Sequence, residues 1–509
     1  MSENLFDLFR DRFPADMAQP FIEHAEKDRI WTYADLDATS ARYANLLVAV
    51  GVQPGDRVAA QVDKSPEAIF LYLACVRAGA VYLPLNTAYK PDEIDYFLSD
   101  AEPAVVVCRP GTEGWVGELA EKYGVLQVLT LGQNGDGTLP EMAAEQPDGF
   151  ETVETTWHDL AAILYTSGTT GRSKGAMLSH WNLASNALSL HEIWGFGPDD
   201  VLLHALPIFH THGLFVATNC VLLNGTKMLF MPSFDPITVL RCLPQSTVFM
   251  GVPTFYTRLL EHNGLTPARC GNMRLFISGS APLLSETFKA FEVRTGHRIL
   301  ERYGMTETGM NTSNPLDDER RPGTVGFPLP EVELRVCDDQ GNELPQGEVG
   351  ILEVRGPNVF LGYWRNPEKT AQEFREDGFF ITGDVAKIDE DGYVHIVGRA
   401  KDLIISGGYN VYPKEIETVL DAFYGVGESA VFGVPHPDFG EAVVAVIKPK
   451  PDTVTPGPDD IIEAAKKRLA NYKVPKRVFF VEDLPRNAMG KVQKNVLRQH
   501  FADLFTKKG

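Results

Sequence analysis

One segment rich in glycine, hydroxyl side chains and a lysine carries the clearest chemical signal in this sequence. It reads Leu164-Tyr-Thr-Ser-Gly-Thr-Thr-Gly-Arg-Ser-Lys-Gly175. Glycines let backbone N–H groups approach a phosphate closely, hydroxyls add further donors, and a lysine adds a positive charge. The segment therefore predicts a phosphate-binding loop whose donors come from Thr166, Ser167, Gly168, Thr169, Thr170, Gly171 and Lys174.

This loop differs from the common nucleotide-binding loop in which Gly-Lys precedes Ser or Thr and then a helix. Here Gly175 follows Lys174, residues 176–179 have an extended pattern, and helical spacing begins near Asn182. We therefore expect the loop to join two strands, with a helix after the second strand.

Polar side chains further along the chain could complete a nucleotide site. Tyr303 can stack on a purine, Thr306 can bond a phosphate or acyl oxygen, and Glu307 offers the hard oxygen ligand that Mg²⁺ prefers. Asp384 ends an apolar run, and its carboxylate can accept two hydroxyl groups. Lys491 would supply a second cation to an anionic reaction.

These segments, in this order, resemble the signatures of the adenylate-forming superfamily, which includes acyl-CoA synthetases, firefly luciferase and the adenylation domains of peptide synthetases. The resemblance covers essentially the whole chain. Besides the loop, it rests on Tyr303-Gly-Met-Thr-Glu-Thr308, Phe380-Ile-Thr-Gly-Asp384, Gly398-Arg-Ala-Lys-Asp402 and Pro485-Arg-Asn-Ala-Met-Gly-Lys491. One departure is Ser173, where the family usually has proline.

The resemblance implies that a carboxylate is activated by ATP with Mg²⁺, releasing diphosphate, and that the acyl group then passes to coenzyme A. It also implies a C-terminal domain that turns about Asp402 and replaces Lys491 in the site by a loop at Gly407, Gly408 and Tyr409. The implied nucleotide contacts are Ser278, Glu301, Arg302, Tyr303, Thr306, Asp384 and Arg399, with Glu307 at the metal and Lys174, Thr306, His210 and Lys491 in catalysis.

Arg258 lies in a mostly apolar helical stretch and could pair with a second carboxylate on the substrate. A guanidinium can answer that charge with two hydrogen bonds. Runs such as His204-Ala-Leu-Pro-Ile-Phe-His-Thr-His-Gly-Leu-Phe215 and Gly251-Val-Pro-Thr-Phe-Tyr-Thr-Arg258 closely resemble the malonyl-CoA synthetase branch. The resemblance implies malonate, with methylmalonate as a second substrate, held by Arg258, His210 and Ser280.

Other functions stay open at this point. A short- or medium-chain or aromatic acyl-CoA ligase would use the same two half-reactions on a different acid. An adenylation domain for a carrier protein would need a further domain after Lys491, and the stretch around Phe209 lacks the aspartate that binds an α-amine in such relatives. An inactive nucleotide-binding protein would have no need of both Lys174 and Lys491.

Apolar strand patterns at 58–62, 81–85 and 104–108 alternate with helical patterns such as 67–77, which predicts an α/β fold with largely parallel sheets. We expect a large N-terminal domain of layered sheets and helices over residues 1–401, which carries the AMP and acyl sites. A small, mobile α+β domain over residues 402–509 would carry the catalytic lysine. Residues 132–155, rich in Gly, Pro and acidic residues, predict a surface loop.

Composition limits the cellular compartments and the kinds of binding partner that are expected for this chain. The net charge of −21 argues against binding to a nucleic-acid backbone. The six scattered cysteines form no metal or disulfide pattern, the first residues do not resemble a signal peptide, and no apolar run reaches the roughly 18 residues of a membrane span. We therefore expect a cytoplasmic protein without membrane or nucleic-acid partners. The Lys491 segment also resembles a site for a lysine acetyltransferase and deacetylase.

Overall fold

Strands and helices alternate along most of the chain. The computed structural model describes residues 3–166, 173–406, 409–487 and 490–505. The strands are β1 (Pro20–His24), β2 (Ile30–Thr32), β3 (Arg57–Gln61), β4 (Val81–Pro84), β5 (Val105–Cys108), β6 (Gln127–Thr130), β7 (Leu160–Thr166), β8 (Lys174–Ser179), β9 (Val201–His204), β10 (Lys227–Phe230), β11 (Val248–Gly251), β12 (Leu275–Ser278), β13 (Leu300–Met305), β14 (Gly309–Ser313), β15 (Phe327–Pro328), β16 (Glu333–Cys337), β17 (Gly350–Arg355), β18 (Gly362–Tyr363), β19 (Phe380–Ile388), β20 (Val394–Arg399), β21 (Ile404–Ser406), β22 (Tyr409–Val411), β23 (Val426–His436), β24 (Gly440–Pro449) and β25 (Arg477–Phe480).

The helices vary from single turns to the 17 residues of α2. They are α1 (Leu5–Arg10), α2 (Tyr33–Ala49), α3 (Pro66–Arg77), α4 (Pro91–Ala101), α5 (Glu113–Lys122), α6 (Thr138–Ala143), α7 (His180–Ile193), α8 (Asn219–Asn224), α9 (Pro236–Cys242), α10 (Pro253–Leu260), α11 (Ser285–Thr295), α12 (Pro367–Glu373), α13 (Pro413–Asp421), α14 (Pro458–Lys466) and α15 (Lys494–His500). A π-helix spans His212–Thr218, and short 3₁₀ turns span Leu243–Gln245 and Ala400–Asp402.

Two large sheets form the body of the molecule. In the described part of the chain, one has the order β15-β14-β13-β12-β11-β9-β10-β1-β2 and the other the order β18-β8-β7-β4-β3-β5-β6. Their centres are parallel: β9 pairs with β10 and β11, and β3 pairs with β4 and β5. Because parallel strands need crossover connections, helices cover the sheets. The predicted α/β fold is confirmed.

Helix α3 shows why the layers hold together. The Ser65 hydroxyl accepts a hydrogen bond from the Ala68 N–H, and Pro66 starts the helix, which are both favourable at a helix N-terminus. Every residue from Pro66 to Arg77 is buried. A helix that is apolar on all sides belongs inside a protein rather than on its surface.

Residues after 403 have hydrophobic clusters of their own. One joins β21, α13, β24 and α14 through Ile404, Ile416, Ala445 and Ile461, and another lies on the opposite side of β23 and β24. Their sheet has the order β22-β21-β24-β23, with β25 beside β24. A separate core of this kind is expected for a small domain. The boundary at 401/402 itself stays a prediction.

The prediction of a plain surface loop over 132–155 is wrong in one part. Helix α6 forms there, and it buries Leu139 and Ala143, which are four residues apart and therefore lie on one helical face. The neighbouring Gly and Pro residues hid this short helix. In the part of the chain that the structure covers, no helix is long and apolar enough to cross a membrane.

Candidate active site

The predicted phosphate loop connects β7 to β8. These strands are antiparallel, and Thr166 is paired with Lys174 across the opening of the loop. The Thr166 hydroxyl lies 3.4 Å from the Lys174 carbonyl oxygen, to which it donates. Ser167, Gly168, Thr169, Thr170 and Gly171 lie outside the described residues. The prediction that the loop joins two strands is confirmed, and α7 begins at His180, two residues before the expected position.

Lys174 contacts an acidic cluster next to the loop. Its Nζ lies 3.5 Å from Glu373 Oε1 and 4.1 Å from the centre of the Tyr363 ring. The Tyr363 hydroxyl is 2.6 Å from Glu373 Oε2 and 3.1 Å from Glu307 Oε1. Strand β18 brings Tyr363 to this position because it pairs with β8. The structure thus brings Lys174 and Glu307 together through Tyr363 and Glu373, two residues that sequence reasoning missed.

Asp384 and Arg399 form a second corner of the site. They are paired across β19 and β20, and Arg399 Nε lies 2.7 Å from Asp384 Oδ1. The Tyr303 hydroxyl donates to Asp384 Oδ2 over 2.5 Å. Asp384 is buried, so these two partners compensate for the loss of water around its carboxylate. Three residues from three separate motifs therefore meet at one carboxylate.

Lys491 faces this same corner. Its loop folds back on itself, since the Lys491 N–H donates to Asn487 Oδ1 over 2.9 Å. Although Lys491 keeps solvent contact, the protein crowded around its ammonium lowers its pKa to about 8. The positive charge of Arg399 adds to this lowering, and Asp384 opposes it. The structure therefore places the predicted catalytic lysine beside the predicted ribose site.

A cleft beside the phosphate loop contains the other predicted catalytic residues. His210 and Thr306 line it together with Tyr165, Phe209 and other residues. Burial lowers the pKa of His210 to about 4, so its imidazole is neutral at physiological pH. His210 can therefore donate or accept a hydrogen bond there, and it brings no positive charge.

The predicted acyl pocket is built around Ser280 and His212. Ser280 Oγ lies 3.2 Å from His212 Nδ1, and the Ser280 backbone has a φ of 69°. A left-handed conformation at a residue other than glycine costs about 1–3 kcal/mol and is frequent at functional sites. Burial lowers the pKa of His212 well below its usual range, and its Nε2 has no hydrogen-bond partner among the described residues.

Arg302 lies next to this pair, and its predicted nucleotide contact stays a prediction. It is 3% exposed, and its Nε and Nη2 are buried without a hydrogen-bond partner in the described structure. A Cβ at Gly279 would lie 2.2 Å from Arg302 Cζ, so the glycine makes room for the guanidinium. Its positive charge also lowers the pKa of His212, after the larger effect of burial.

Glu301 and Ser278 lie close to the same pocket, and their nucleotide contacts stay predictions. Glu301 Oε1 accepts from the Leu283 N–H over 2.9 Å, while Oε2 is buried without a partner. Burial raises the pKa of Glu301 to about 7. Ser278 Oγ is buried and unpartnered. Unsatisfied buried polar atoms are uncommon in folded proteins, and their concentration here is typical of a binding site.

Arg258 lies on α10, as predicted from its helical pattern, and is exposed. No hydrogen bond or ion pair joins it to another described residue. Gly490, next to the predicted catalytic lysine, packs nearby, since a Cβ at Gly490 would lie 3.0 Å from Thr254 Oγ1 on the same helix. The role of Arg258 as a carboxylate anchor stays a prediction.

The predicted hinge residue makes a defined contact. Asp402 Oδ1 lies 2.8 Å from Arg498 Nη2 on α15. Tyr409, from the loop expected to follow Lys491 into the site, is 58% exposed and stacks on Tyr472 with 4.6 Å between ring centres. Gly407 and Gly408 lie outside the described residues.

The assignment of Mg²⁺ to Glu307 stays a prediction. Within the described ranges, no group of three or more His, Cys, Asp or Glu side chains could hold a metal ion. Magnesium bound with a nucleotide typically uses one or two carboxylates, the phosphates and water. A buried Glu307 with Glu373 near it agrees with that ligand set, and burial raises the pKa of Glu307.

Comparison with known proteins identifies the family. A model of the AMP-binding enzyme family matches residues 10–364, and a model of the AMP-binding enzyme C-terminal domain matches residues 415–491. The chain belongs to the AMP-binding enzyme family. This confirms the resemblance to the adenylate-forming superfamily.

Individual members of the AMP-binding enzyme family match along most of the chain. Feruloyl-CoA synthase of an Amycolatopsis species is 38% identical over 474 residues, covering 92% of this chain and 94% of that protein. Malonate–CoA ligase of Arabidopsis thaliana is 35% identical over 480 residues, covering 88% of this chain and 78% of that protein. Both names describe an enzyme that forms a CoA thioester.

The solved structures add the domain arrangement. ATP-bound MatB from Rhodopseudomonas palustris is 58% identical and superposes with a TM-score of 0.97, covering 99% of this chain and all of that one. The apo structure of the same protein gives 0.86. The arrangement described here is therefore more similar to the ATP-bound form.

Proposed function

We propose that this chain is a malonyl-CoA synthetase. It converts ATP, malonate and coenzyme A into malonyl-CoA, AMP and diphosphate through a malonyl-adenylate, and it accepts methylmalonate as a second substrate. The malonate–CoA ligase relative supports this choice. The observation that carries it is the pair of buried Arg302 nitrogens, Nε and Nη2, that have no hydrogen-bond partner among the described residues.

The burial of Arg302 favours a substrate that carries a second carboxylate. A buried cation without partners is costly, and removing a carboxylate from water without a partner is equally costly. These two desolvation costs offset each other when a second carboxylate of the substrate accepts hydrogen bonds from the free N–H groups of Arg302. A phenyl or alkyl tail would leave those groups unsatisfied. Because His210 and His212 bring no positive charge, a second carboxylate would pair with an arginine here.

In the first half-reaction, an oxygen of the reacting carboxylate attacks the α-phosphorus of ATP. The bond from the α-phosphorus to the bridging oxygen breaks, and diphosphate leaves. Lys491 stabilises charge that develops around the α-phosphate, and Lys174 exchanges Glu373 for the phosphates of ATP. Removing one such preorganised group typically costs about 10²–10³ in rate.

In the second half-reaction, the coenzyme A thiolate attacks the acyl carbon and AMP leaves with the bonding electrons of the acyl–oxygen bond. We propose that the C-terminal domain turns about Asp402 for this step. Lys491 then leaves the cleft, and the loop with Gly407, Gly408 and Tyr409 enters it. Glu307 would hold Mg²⁺ when it is bound with ATP, and the ion would then neutralise charge on the phosphates.

The test compares two arginine variants by steady-state kinetics. Arg302→Met should raise the KM for malonate by about 100-fold, because truncating one partner of a buried charge pair costs several kcal/mol. The KM for ATP should stay near the wild-type value. Arg258→Leu should raise the KM for malonate as well, by a smaller factor because this side chain is exposed.

An exposed arginine on α11 provides the control. Arg294→Leu should change neither KM, because Arg294 lies on the surface and donates only to the His262 carbonyl oxygen over 3.4 Å. A normal KM for malonate in a folded Arg302→Met protein would show that Arg302 does not anchor the substrate. A normal KM for malonate in Arg258→Leu would show that Arg258 does not bind the substrate. The proposed role of Arg302 would be unaffected.

We place the activity in the cytoplasm and propose that a lysine acetyltransferase and a deacetylase regulate it at Lys491. The cysteines are all buried and free, as expected in a reducing compartment. Acetylation would remove the Lys491 charge and so stop adenylation. Peptide mass analysis after treatment with acetyltransferase should find the acetyl group on Lys491. An unmodified Lys491 in a treated, active sample would end this proposal.

A further inference from the structure

Lys64 is a buried lysine that the reaction does not use. It is 9% exposed, and no carboxylate among the described residues pairs with it. Its Nζ lies 2.9 Å from His204 Nδ1 and 2.9 Å from the His204 carbonyl oxygen. The ring of Phe230 lies beneath it, 4.4 Å from Nζ to the ring centre. Such a lysine needs an explanation, since buried amines are rare and costly.

His204 also contacts a second backbone carbonyl through its other ring nitrogen. Its Nε2 lies 2.9 Å from the Gly213 carbonyl oxygen. Because a carbonyl oxygen can only accept, Nε2 carries the hydrogen and Nδ1 is free to accept from Lys64. Burial lowers the pKa of Lys64 and of His204 well below their usual ranges. His204 thus offers Lys64 two acceptors, its Nδ1 and its carbonyl oxygen.

The Gly213 carbonyl lies at the start of the π-helix His212–Thr218. The Thr218 hydroxyl donates to the same oxygen over 3.0 Å. A Cβ on Gly213 would lie 2.1 Å from the Pro207 carbonyl oxygen, so this turn is tightly packed. π-Helical turns are rare and are often found at functional sites. Here the turn begins with His212, whose Nδ1 faces Ser280 in the acyl pocket.

We propose that Lys64 and His204 are positioning residues for the acyl pocket. They hold the Gly213 carbonyl oxygen and thereby fix the first turn of the π-helix, from which His212 reaches Ser280 and Arg302. The two residues are 140 positions apart in the chain, and among the described residues no hydrogen bond joins them to Tyr303, Asp384 or Arg399. The inference rests on the proposed function only for the identity of the acid.

The test separates substrate positioning from general stability by comparing KM values. Lys64→Met replaces the amine by an apolar group of similar length, which a buried site accepts readily. His204→Asn keeps an acceptor near Nδ1 and loses the donor to Gly213, whereas His204→Gln can keep that donor. Lys64→Met and His204→Asn should each raise the KM for malonate about tenfold, the factor expected for one unsatisfied buried group.

Three readouts decide the outcome in the full-length protein. The KM for ATP should stay within about twofold of wild type, and His204→Gln should restore most of the malonate affinity. Thermal unfolding confirms that each variant is folded. A wild-type KM for malonate in folded Lys64→Met and His204→Asn would overturn the proposal. An equal rise in the KM for ATP and malonate would overturn it too, since that indicates general loosening.

Failure of the proposed function would look different. In that case the wild-type protein itself would not use malonate. The same variants would then be compared with the carboxylate that the wild type does use, and the predicted split between the acid and ATP still applies. If the KM for that carboxylate and the KM for ATP change equally, the positioning role is contradicted independently of the proposed function.

Discussion

At the residue scale, Lys174, Lys491 and Arg302 have different environments. Lys174 contacts Glu373, which ATP can replace. Lys491 stands crowded beside Arg399 and Asp384. Arg302 is buried with free donors. These environments agree with three tasks: binding phosphates that arrive and leave, stabilising charge that appears during reaction, and recognising a fixed anion.

The lowered pKa of Lys491 predicts the pH dependence of adenylation. We propose that the protonated form is the active one, and the protein around the ammonium lowers its pKa to about 8. The kcat/KM for ATP, which reports the free enzyme, should therefore be flat below pH 8 and fall as the pH rises through it. The negative charge of bound ATP raises the pKa of Lys491, so the fall in kcat should begin at higher pH.

Lys491→Arg is the matched variant, because arginine stays protonated over this range. Its rate should be lower throughout, and its profile should lack the alkaline fall. A wild-type kcat/KM that stays constant beyond pH 9 would contradict the predicted fall. An arginine variant with the same fall would assign the pH dependence to another group.

Sequence reasoning located most of the chemically specialised residues, because their motifs are local. Tyr303, Asp384 and Arg399 were predicted from separate segments, and they meet at one carboxylate. It could not place the Arg302 side chain against Gly279. That position depends on strand β13 setting the guanidinium against Gly279, a contact that no sequence spacing reveals.

At the element scale, some helices and strands could be predicted from the sequence and others could not. The strand alternation and α3 were predictable because period-two and helical patterns are strong in long, buried segments. Helix α6 was not, since it is one short helix among Gly and Pro. The π-helix was also not predictable, because its apolar residues fit an ordinary helix and only the Gly213 contacts distinguish it.

The turn at Ala400–Asp402 predicts how the two half-reactions separate. Proline at 402 fixes φ and should restrict rotation of the C-terminal domain. Asp402→Pro should retain ATP–diphosphate exchange and slow thioester formation from preformed acyl-adenylate by about tenfold or more. Rapid-mixing measurements of each half-reaction would show this split.

Asp402→Ala separates the backbone effect from the Arg498 contact, because it removes the carboxylate and leaves φ free. It should slow thioester formation much less than the proline variant. If the proline variant forms thioester at the wild-type rate, rotation about this residue is not required.

At the scale of the whole molecule, the two parts lie in an arrangement suited to adenylation. Lys491, carried by the C-terminal part, faces Asp384 and Arg399 of the large part. The closer superposition on an ATP-bound relative than on its apo form agrees with this. Tyr409 is meanwhile exposed and stacked on Tyr472, away from any described contact with the nucleotide corner.

The central claim is that this arrangement activates a small diacid. Relatives with a malonate and with a feruloyl activity have similar identity to the chain, so identity alone does not choose between them. The most direct measurement is the CoA-dependent release of AMP and diphosphate from purified protein with malonate, methylmalonate, ferulate, octanoate and benzoate. Malonate should give the highest kcat/KM, at least about 100-fold above the three monoacids, because those leave the buried Arg302 donors unpaired. A higher kcat/KM with ferulate, octanoate or benzoate would contradict the account.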